Sequence, residues 1–216
     1  MFVRTLALGP MENFVYLVGP AEGREAAVVD PAWDVPALLA AAAEAGREVV
    51  AALLTHGHGD HVNGLDELLA ARPGLRAHAH PAEIAFRPYL AALGAAVTPV
   101  EDGGTVRVGA LEVQAIHTPG HTPGAICWRA GDALFTGDTL FVDACGRCDL
   151  PGGDPARMFD SLHRVLGALP DELRVLPGHD YGPVPTRTLG EERRHNPYLR
   201  TGERGAFVSL RSRPRT

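Results

Sequence analysis

The feature that most constrains this chain is the segment Leu53 to His61, which begins apolar and ends with three histidines and one aspartate. Residues 49–54 are uncharged and apolar, which predicts a buried strand. Gly57 and Gly59 disfavour a regular helix and let the backbone turn tightly. We therefore predict a loop at a strand end, where His56 and His58 can face one cation while Asp60 and His61 face another. The alternative is a solvated polar loop without a metal.

Three further polar residues lie in loops marked by glycine, each after a predicted strand. They are His121 in the segment TPGHTPG, Asp138 in TGDT and His179 in LPGH. Nitrogen and oxygen ligands without thiolate suit zinc, iron or manganese. A carboxylate can also bridge two cations, and Asp138 is the natural candidate for that position.

Several enzyme classes are excluded by residues that the chain lacks. All twenty basic residues are arginine, so a Schiff-base lysine, a phosphate-loop lysine and a serine–lysine dyad are absent. None of the three serines, Ser161, Ser209 and Ser212, stands in a nucleophile-elbow motif. The net charge of −6 and dispersed arginines argue against nucleic acid as a partner. These absences favour a reaction without a protein nucleophile.

The cysteines and the hydropathy pattern bear on the compartment. Cys127, Cys145 and Cys148 are an odd number in a chain without a signal-peptide pattern, which favours reduced thiols. Cys145 and Cys148 form a Cys-x-x-Cys, but turn residues follow it, whereas a redox dithiol normally opens a helix. No apolar span is long enough to cross a membrane. We expect a cytoplasmic protein without a membrane partner.

Periodicity and turn residues predict alternating strands and helices. Predicted strands cover residues 2–8, 13–18, 26–29, 49–54, 75–79, 105–108, 111–116, 125–129, 133–135 and 173–176. Predicted helices cover residues 35–45, 65–71, 81–93, 154–169 and 189–199. Two β-rich halves that each carry helices predict an α/β (α+β) fold with two packed sheets and helices outside. We predict one domain over residues 1–201 and a flexible basic tail over residues 202–216.

The ligand motifs resemble those of the metallo-β-lactamase fold, and within it the glyoxalase II (hydroxyacylglutathione hydrolase) branch. The T-H-x-H-x-D-H motif of that family falls on residues 55–61, and its later ligands fall on His121, Asp138 and His179. The resemblance covers roughly residues 3–200 and implies a four-layered αββα sandwich. It also implies that a first triad, His56, His58 and His121, holds one metal. A second triad, Asp60, His61 and His179, holds the other metal, and Asp138 bridges the two.

The same resemblance implies a hydrolase that cleaves a thioester such as S-lactoylglutathione with a metal-bound hydroxide. It also implies two divalent metal ions, with zinc preferred and iron or manganese as alternatives. Asp60 is the predicted catalytic residue, which orients the hydroxide and takes up its proton. Arg147, in a Cys-Gly-Arg segment, and Tyr181, just past His179, are the predicted contacts to a small thiol-derived substrate. Because the segment after His179 is short, we expect the helical domain that completes the glutathione site of longer glyoxalases to be absent.

The second hypothesis is a mononuclear iron persulfide dioxygenase that oxidises glutathione persulfide. The segments CGRCD and HDY resemble motifs of that branch, and its iron would need only His56, His121 and Asp138. The opening ENFVYL and Gly59 look more like the hydrolase branch. A lactonase, a β-lactamase or a non-catalytic metal-binding protein remain further alternatives.

Five histidines lie outside the ligand motifs and are interpreted as structural or solvated: His78, His80, His117, His163 and His195. Among them, His117 is the best candidate for a residue that contacts a ligand.

Overall fold

A computed structural model describes residues 1–212 of the chain. Its first sheet contains six strands in chain order: β1 (Phe2–Leu8), β2 (Asn13–Gly19), β3 (Glu25–Val29), β4 (Glu48–Leu53), β5 (Arg76–Ala79) and β6 (Val97–Pro99). The first three strands form an antiparallel meander, and β3 to β6 run parallel. The parallel part places the loop after β4 at the edge of the sheet where β3 and β5 also end.

The second sheet also contains six strands, in the order β14-β13-β10-β9-β8-β7. Its strands, together with the small hairpin β11–β12, are β7 (Thr105–Val108), β8 (Leu111–His117), β9 (Ile126–Ala130), β10 (Ala133–Gly137), β11 (Leu140–Phe141), β12 (Ala144–Cys145), β13 (Arg174–Pro177) and β14 (Arg187–Thr188). Strands β10 and β13 pair in parallel, so their carboxyl ends lie side by side. The register between them shifts at Gly137.

Helices connect and flank the strands. The α-helices are α1 (Val35–Glu44), α2 (Gly59–Val62), α3 (Leu65–Ala71), α4 (Pro81–Phe86), α5 (Pro88–Ala92), α6 (Pro155–Asp160), α7 (Leu189–His195), α8 (Pro197–Arg200) and α9 (Arg204–Arg211). A π-helical turn, Ser161–Val165, and a 3-10 turn, Leu166–Ala168, continue α6. The Asp34 side chain caps α1 by accepting a hydrogen bond from the backbone of Ala37, as its N-cap position predicts.

Alternation along β2 separates the core into layers. Tyr16 belongs to an apolar cluster between the sheets, together with Trp128 and Phe135 of the second sheet. Its neighbour Leu17 points to the opposite face of the first sheet and packs in the same cluster as Leu38 of α1. Successive side chains of a strand point to opposite faces, so one strand serves both layers.

A third cluster covers the outer face of the second sheet. Val175 of β13 and Leu134 of β10 pack there with Met158 of α6 and Phe207 of α9. Helices therefore cover the outer face of each sheet, and the sheets face each other across the central cluster. This arrangement confirms the predicted four-layered αββα sandwich.

Proline and glycine account for the main differences between predicted and observed helices. The helix predicted over residues 81–93 is divided into α4 and α5 because Pro88 removes a backbone donor and holds Arg87 in an extended conformation. Asn196 before Pro197 divides the helix predicted over residues 189–199 in the same way. Contrary to expectation, Gly59 opens the one-turn helix α2 within the histidine loop. The sequence analysis did not predict the short strands β6, β11, β12 and β14.

The predicted flexible tail is wrong for part of its length. Residues 204–211 form α9, and Phe207 is buried, because its ring packs beside Phe159 with 5.6 Å between ring centroids. Only Phe207 and Arg211 of this helix are buried, and the arginines of the segment had favoured the prediction of a flexible tail. Residues 213–216 of that tail lie outside the described residues.

Among the helices of residues 1–212, none has the length and hydropathy needed to span a bilayer.

Candidate metal centre

Four loops at one edge of the sandwich bring all of the predicted metal ligands together. The loop after β4 carries His56 and His58 and continues into α2, which carries Asp60 and His61. The other ligands come from the second sheet: His121 from the β8–β9 loop, Asp138 from the end of β10 and His179 from the end of β13. The site therefore forms where the two sheets meet, and both sheets contribute to it.

The first triad is His56, His58 and His121, and its ligand atoms lie within 4.8 Å of one another. The Nδ1 atom of His58 lies 2.8 Å from Nε2 of His121. The ring of His56 is 4.8 Å from each of the other two rings, centroid to centroid. This spacing lets three imidazole nitrogens face a common point.

The second triad is Asp60, His61 and His179, which also meet the 4.8 Å limit. Nε2 of His61 lies 3.2 Å from Nε2 of His179, and Asp60 Oδ2 lies 3.4 Å from both of these nitrogens. Asp138 lies between the triads: its Oδ1 is 3.3 Å from His61 Nε2, and its Oδ2 is 3.4 Å from His121 Nε2. One carboxylate oxygen thus faces each triad, which is the arrangement a bridging ligand requires.

Neighbouring groups select the nitrogen that each histidine presents. Nδ1 of His61, His121 and His179 is engaged by Asp30 Oδ2, the Arg147 carbonyl and the Met11 carbonyl at 3.0, 2.7 and 2.8 Å, respectively. Because the tautomer follows the partner of the other nitrogen, these contacts leave Nε2 free to bind a cation. His58 instead turns its Nδ1 toward the centre.

Two buried polar atoms of the site fit binding of a metal by these residues. Nε2 of His56 and Oδ1 of Asp138 are buried and have no hydrogen-bond partner. Buried polar groups are normally paired, and an unpaired one is explained by a functional role such as binding an ion. Imidazole and carboxylate donors without thiolate suit zinc, iron or manganese. Both unpaired atoms belong to the predicted ligand set.

Burial and like charge keep His56 and His58 of the first triad neutral. Burial, with the charges of neighbouring imidazoles, lowers the pKa of His56 well below its usual value. Burial, followed by His121 and Arg87, lowers the pKa of His58 to about 4. At neutral pH both side chains are therefore deprotonated, the form that binds metal.

In the second triad and at Asp138, pairing between carboxylates and imidazoles determines the direction of the pKa shifts. Burial raises the pKa of Asp138, but the charge and hydrogen bond of His61, together with the charges of His121 and His179, outweigh it and hold that pKa at about 2. Burial likewise raises the pKa of Asp60, but hydrogen bonding to His179 and the charge of His61 outweigh it, and the net pKa is lowered. Burial lowers the pKa of His61, and Asp138 reverses this and raises it. Both carboxylates are ionised at neutral pH and can serve as ligands.

Asp30 is a structural partner of the site that sequence reasoning missed. It follows β3 in a left-handed conformation with φ of 52°, and its carboxylate accepts hydrogen bonds from the backbone and the hydroxyl of Thr55 at 2.7 and 2.6 Å. It lies close enough to His56 and His61 to complete a third possible ligand group. Because its oxygens are occupied by Thr55 and by Nδ1 of His61, we interpret it as an orienting residue. An aspartate directly after a strand was the available signal.

Asp60 is oriented by a chain of two side-chain amide contacts. Asn13 Nδ2 donates to Asp60 Oδ2 at 3.2 Å, and Trp33 Nε1 donates to Asn13 Oδ1 at 2.8 Å. Trp33 has φ of 64°, a region that bulky residues rarely occupy and that persists only where the surroundings impose it. Its ring lies against Gly9, where a Cβ atom would come within 2.4 Å of it. The contacts of Trp33 and Asn13 therefore orient the candidate catalytic carboxylate.

The two predicted substrate residues lie on loops next to the ligands. Arg147 is exposed over 44% of its side chain, and its guanidinium is paired with Asp149 at 2.9 and 2.8 Å. Tyr181 is 52% exposed, and its ring stacks on His179 with 4.6 Å between centroids. Both side chains can reach a ligand from solvent, and their role in binding stays a prediction.

The remaining histidines lie outside the ligand groups found in residues 1–212. His80 and His117 stack on each other with ring centroids 3.8 Å apart. His117 Nε2 hydrogen-bonds the carbonyl of Pro123 at 3.0 Å, so its contact is with the backbone of the His121 loop.

Cys127 and Cys148 are buried, and burial raises the pKa of these thiols to about 12 and about 11. Neither thiol is poised as a nucleophile at neutral pH.

Comparison with known proteins identifies the family of the chain. The Metallo-beta-lactamase superfamily profile matches residues 8–179. The chain is 32% identical over 201 residues to a probable polyketide biosynthesis zinc-dependent hydrolase, PksB, of Bacillus subtilis, covering 93% of this chain and 88% of that protein. It is 34% identical to a hydroxyacylglutathione hydrolase of Pseudomonas entomophila, covering 89% and 83% of the two chains. The crystal structure of ETHE1 from Myxococcus xanthus superposes with a TM-score of 0.88 at 34% identity, covering 100% and 93%. The chain belongs to the metallo-beta-lactamase superfamily.

Proposed function

We propose that the protein is a metal-dependent hydrolase that cleaves a thioester with two divalent cations. The observation that carries this proposal is the presence of two triads joined by Asp138, whose oxygens face one triad each. Two adjacent ligand groups that share one carboxylate are what a two-cation site requires. Zinc is the preferred cation, because the relative from Bacillus subtilis is named a zinc-dependent hydrolase.

The first triad would hold one cation, the second triad the other, and Asp138 would bind both. When bound, such a pair lowers the pKa of water and polarises a carbonyl oxygen. Asp60 is ionised at neutral pH and is held by Asn13 at 3.2 Å, so it can accept a hydrogen bond from the attacking water and orient it. This division of roles requires no serine or lysine nucleophile, in keeping with the composition.

The substrate contacts support an anionic thiol. The backbone carbonyl of Arg147 accepts from His121 Nδ1 at 2.7 Å, which places this residue beside the first triad. A guanidinium can bind a carboxylate through two parallel hydrogen bonds. Tyr181, stacked on His179, would cover the second triad from the solvent side. The name of the PksB relative extends the candidate thioesters beyond those of glutathione.

Persulfide oxidation is the second candidate. It is favoured by the similarity to ETHE1 of Myxococcus xanthus, which extends over the whole of this chain. The human ETHE1, which is 32% identical to this chain over 192 residues, is named a persulfide dioxygenase. By the resemblance, that reaction would use one iron held by His56, His121 and Asp138. The second triad would then have no part in binding the reactive metal.

Replacement of His179 by alanine separates the two candidates. We expect the parent protein to bind two ions and cleave S-lactoylglutathione or another thioester without oxygen uptake, because both triads are complete. The His179→Ala variant should bind one ion fewer and lose most thioester cleavage. Elemental analysis, a thioester assay and an oxygen electrode measure these properties.

His195→Ala is the matched control, because His195 belongs to neither triad and should leave ion content and cleavage unchanged. Persulfide-dependent oxygen consumption by the iron-loaded parent, retained in His179→Ala, would overturn the hydrolase proposal. A parent that stays at one ion per chain in excess zinc would overturn the two-cation proposal.

A further inference from the structure

Glu83 is a fully buried carboxylate that the mechanism above does not use. It lies on α4, on the outer side of the histidine loop, and its side chain has no solvent exposure. A buried ionisable group is expensive unless all of its oxygens are paired. Every oxygen of Glu83 is paired here, and the partners are unusual because most of them belong to the loops that carry metal ligands.

The two oxygens of Glu83 bind different loops. Oε1 accepts a hydrogen bond from the backbone of Gly57 at 2.8 Å, and Gly57 stands between His56 and His58. Oε2 accepts from the hydroxyl of Thr122 at 2.6 Å, and Thr122 directly follows His121. These contacts connect the loop of the first sheet with the loop of the second sheet through one rigid carboxylate.

Two more contacts complete the arrangement. Oε2 also accepts from the backbone of Gly124 at 3.1 Å, and Arg87 Nε donates to Oε1 at 3.3 Å. Gly124 lies so close to α4 that a Cβ atom at that position would come within 2.1 Å of the Glu83 backbone nitrogen. The absence of a side chain at Gly124 is therefore what allows the His121 loop to reach Glu83.

The second triad has its own, separate supports. Asn13 binds Asp60, Asp30 binds His61 and the Met11 carbonyl binds His179, and none of these contacts involves Glu83. We propose that Glu83 is the positioning residue of the first triad, holding the loops of His56, His58 and His121 at the separation that one cation requires, without touching the ion itself. This inference rests on the proposed two-cation site and names the residue that sets the geometry of one half of it.

Glu83→Gln tests the inference, because glutamine keeps the size of the side chain and replaces one acceptor oxygen with a donor. One of the two loops then loses its acceptor and meets an N–H group instead. Loss of such outer contacts weakens metal affinity about 10- to 100-fold. We expect the variant to retain one zinc ion per chain at a zinc concentration that keeps the parent at two, measured by equilibrium dialysis and elemental analysis.

Glu192→Gln is the matched control. Glu192 is equally buried, but it accepts from the backbone of Asp143 and from Asn196, away from both triads. We expect this variant to lose thermal stability and keep two ions. A Glu83→Gln protein that binds two ions with parental affinity, or that loses both ions together, would overturn the inference.

Thr122→Val provides a second test should Glu83→Gln fail to fold. Valine preserves the shape of Thr122 and removes only its hydrogen bond to Glu83. The affinity of one ion should fall while the other is unchanged, and parental affinity for both ions would count against the proposal. If the parent itself binds fewer than two ions, the two-cation proposal fails instead, so the two failures are distinguishable.

Discussion

The hydrogen bonds of individual imidazoles decide which residues can serve as ligands. A histidine whose Nδ1 is bound by a carbonyl or a carboxylate presents Nε2, and His61, His121 and His179 are all held in this way. His58 has no such partner and approaches His121 through Nδ1. Its protonation is therefore controlled by burial and nearby positive charge, with no hydrogen-bonded carboxylate to raise its pKa.

At the same scale, we expect His58 in the metal-free protein to titrate with a pKa of about 4, against 6.5 for an ordinary histidine. Because the folded-state pKa is the lower one, the unfolded chain takes up the proton first as pH falls. The contribution of this group to stability is thus complete above the unfolded-state pKa and is lost as pH falls toward the folded-state value. NMR titration of the ring signals measures it, with His58→Gln to assign the signal. A midpoint near 6.5 would contradict this expectation.

At the scale of elements, α9 supports the loop that carries the predicted substrate residue. Arg211 is buried on this helix and donates through Nη2 to the carbonyl of Gly146 at 2.6 Å. A Cβ atom at Gly146 would come within 1.8 Å of the Asp138 carbonyl oxygen, so this loop lies directly against Asp138, the predicted bridging ligand. The helix therefore acts on the metal centre through one loop, although it touches none of the ligands.

The packing of α9 is tested by Phe207→Ala. Phe207 is fully buried in the cluster under the second sheet, so its truncation should cost about 3–5 kcal/mol of unfolding free energy. Leu210 on the same helix is 44% exposed, and Leu210→Ala should change stability by less than about 0.5 kcal/mol. Urea denaturation of both variants measures the difference. Equal and small effects would mean that α9 does not pack on the sheet in solution.

At the scale of the whole molecule, the metal centre joins the two sheets, because one sheet carries His56 to His61 and the other carries the remaining ligands. Direct contacts at the same edge include the hydrogen bond from Phe14 to the Gly178 carbonyl at 2.9 Å. Bound ions would add to these contacts and favour the folded state over the unfolded chain, which lacks a preformed site.

We therefore expect a chelator to lower the melting temperature by ~10 °C, as a stabilisation of about 4 kcal/mol by bound ions implies for a chain of this size. Differential scanning calorimetry on the parent with and without chelator measures the shift, and added zinc should restore the original value. A melting temperature that does not change after elemental analysis shows the ions to be gone would contradict the expectation.

The sequence determined the longer strands, the ligand motif and the layered architecture, because these depend on local periodicity and on residues close together along the chain. The density of histidine and aspartate in residues 56–61 already indicated a metal, and the apolar run of residues 13–18 indicated the strand β2. The sequence also excluded lysine and serine nucleophiles by their absence or position. These inferences needed no knowledge of long-range contacts.

Only the tertiary structure decided which distant residues support the site. Asp30, Glu83 and Arg211 are single charged residues in unremarkable segments, and each acts through a partner at least 25 positions away. The same limit explains the error at α9, whose helix rests on one buried phenylalanine in a basic segment. Such contacts depend on how the two sheets pack together. The spacing of residues along the chain does not show which distant residues come into contact.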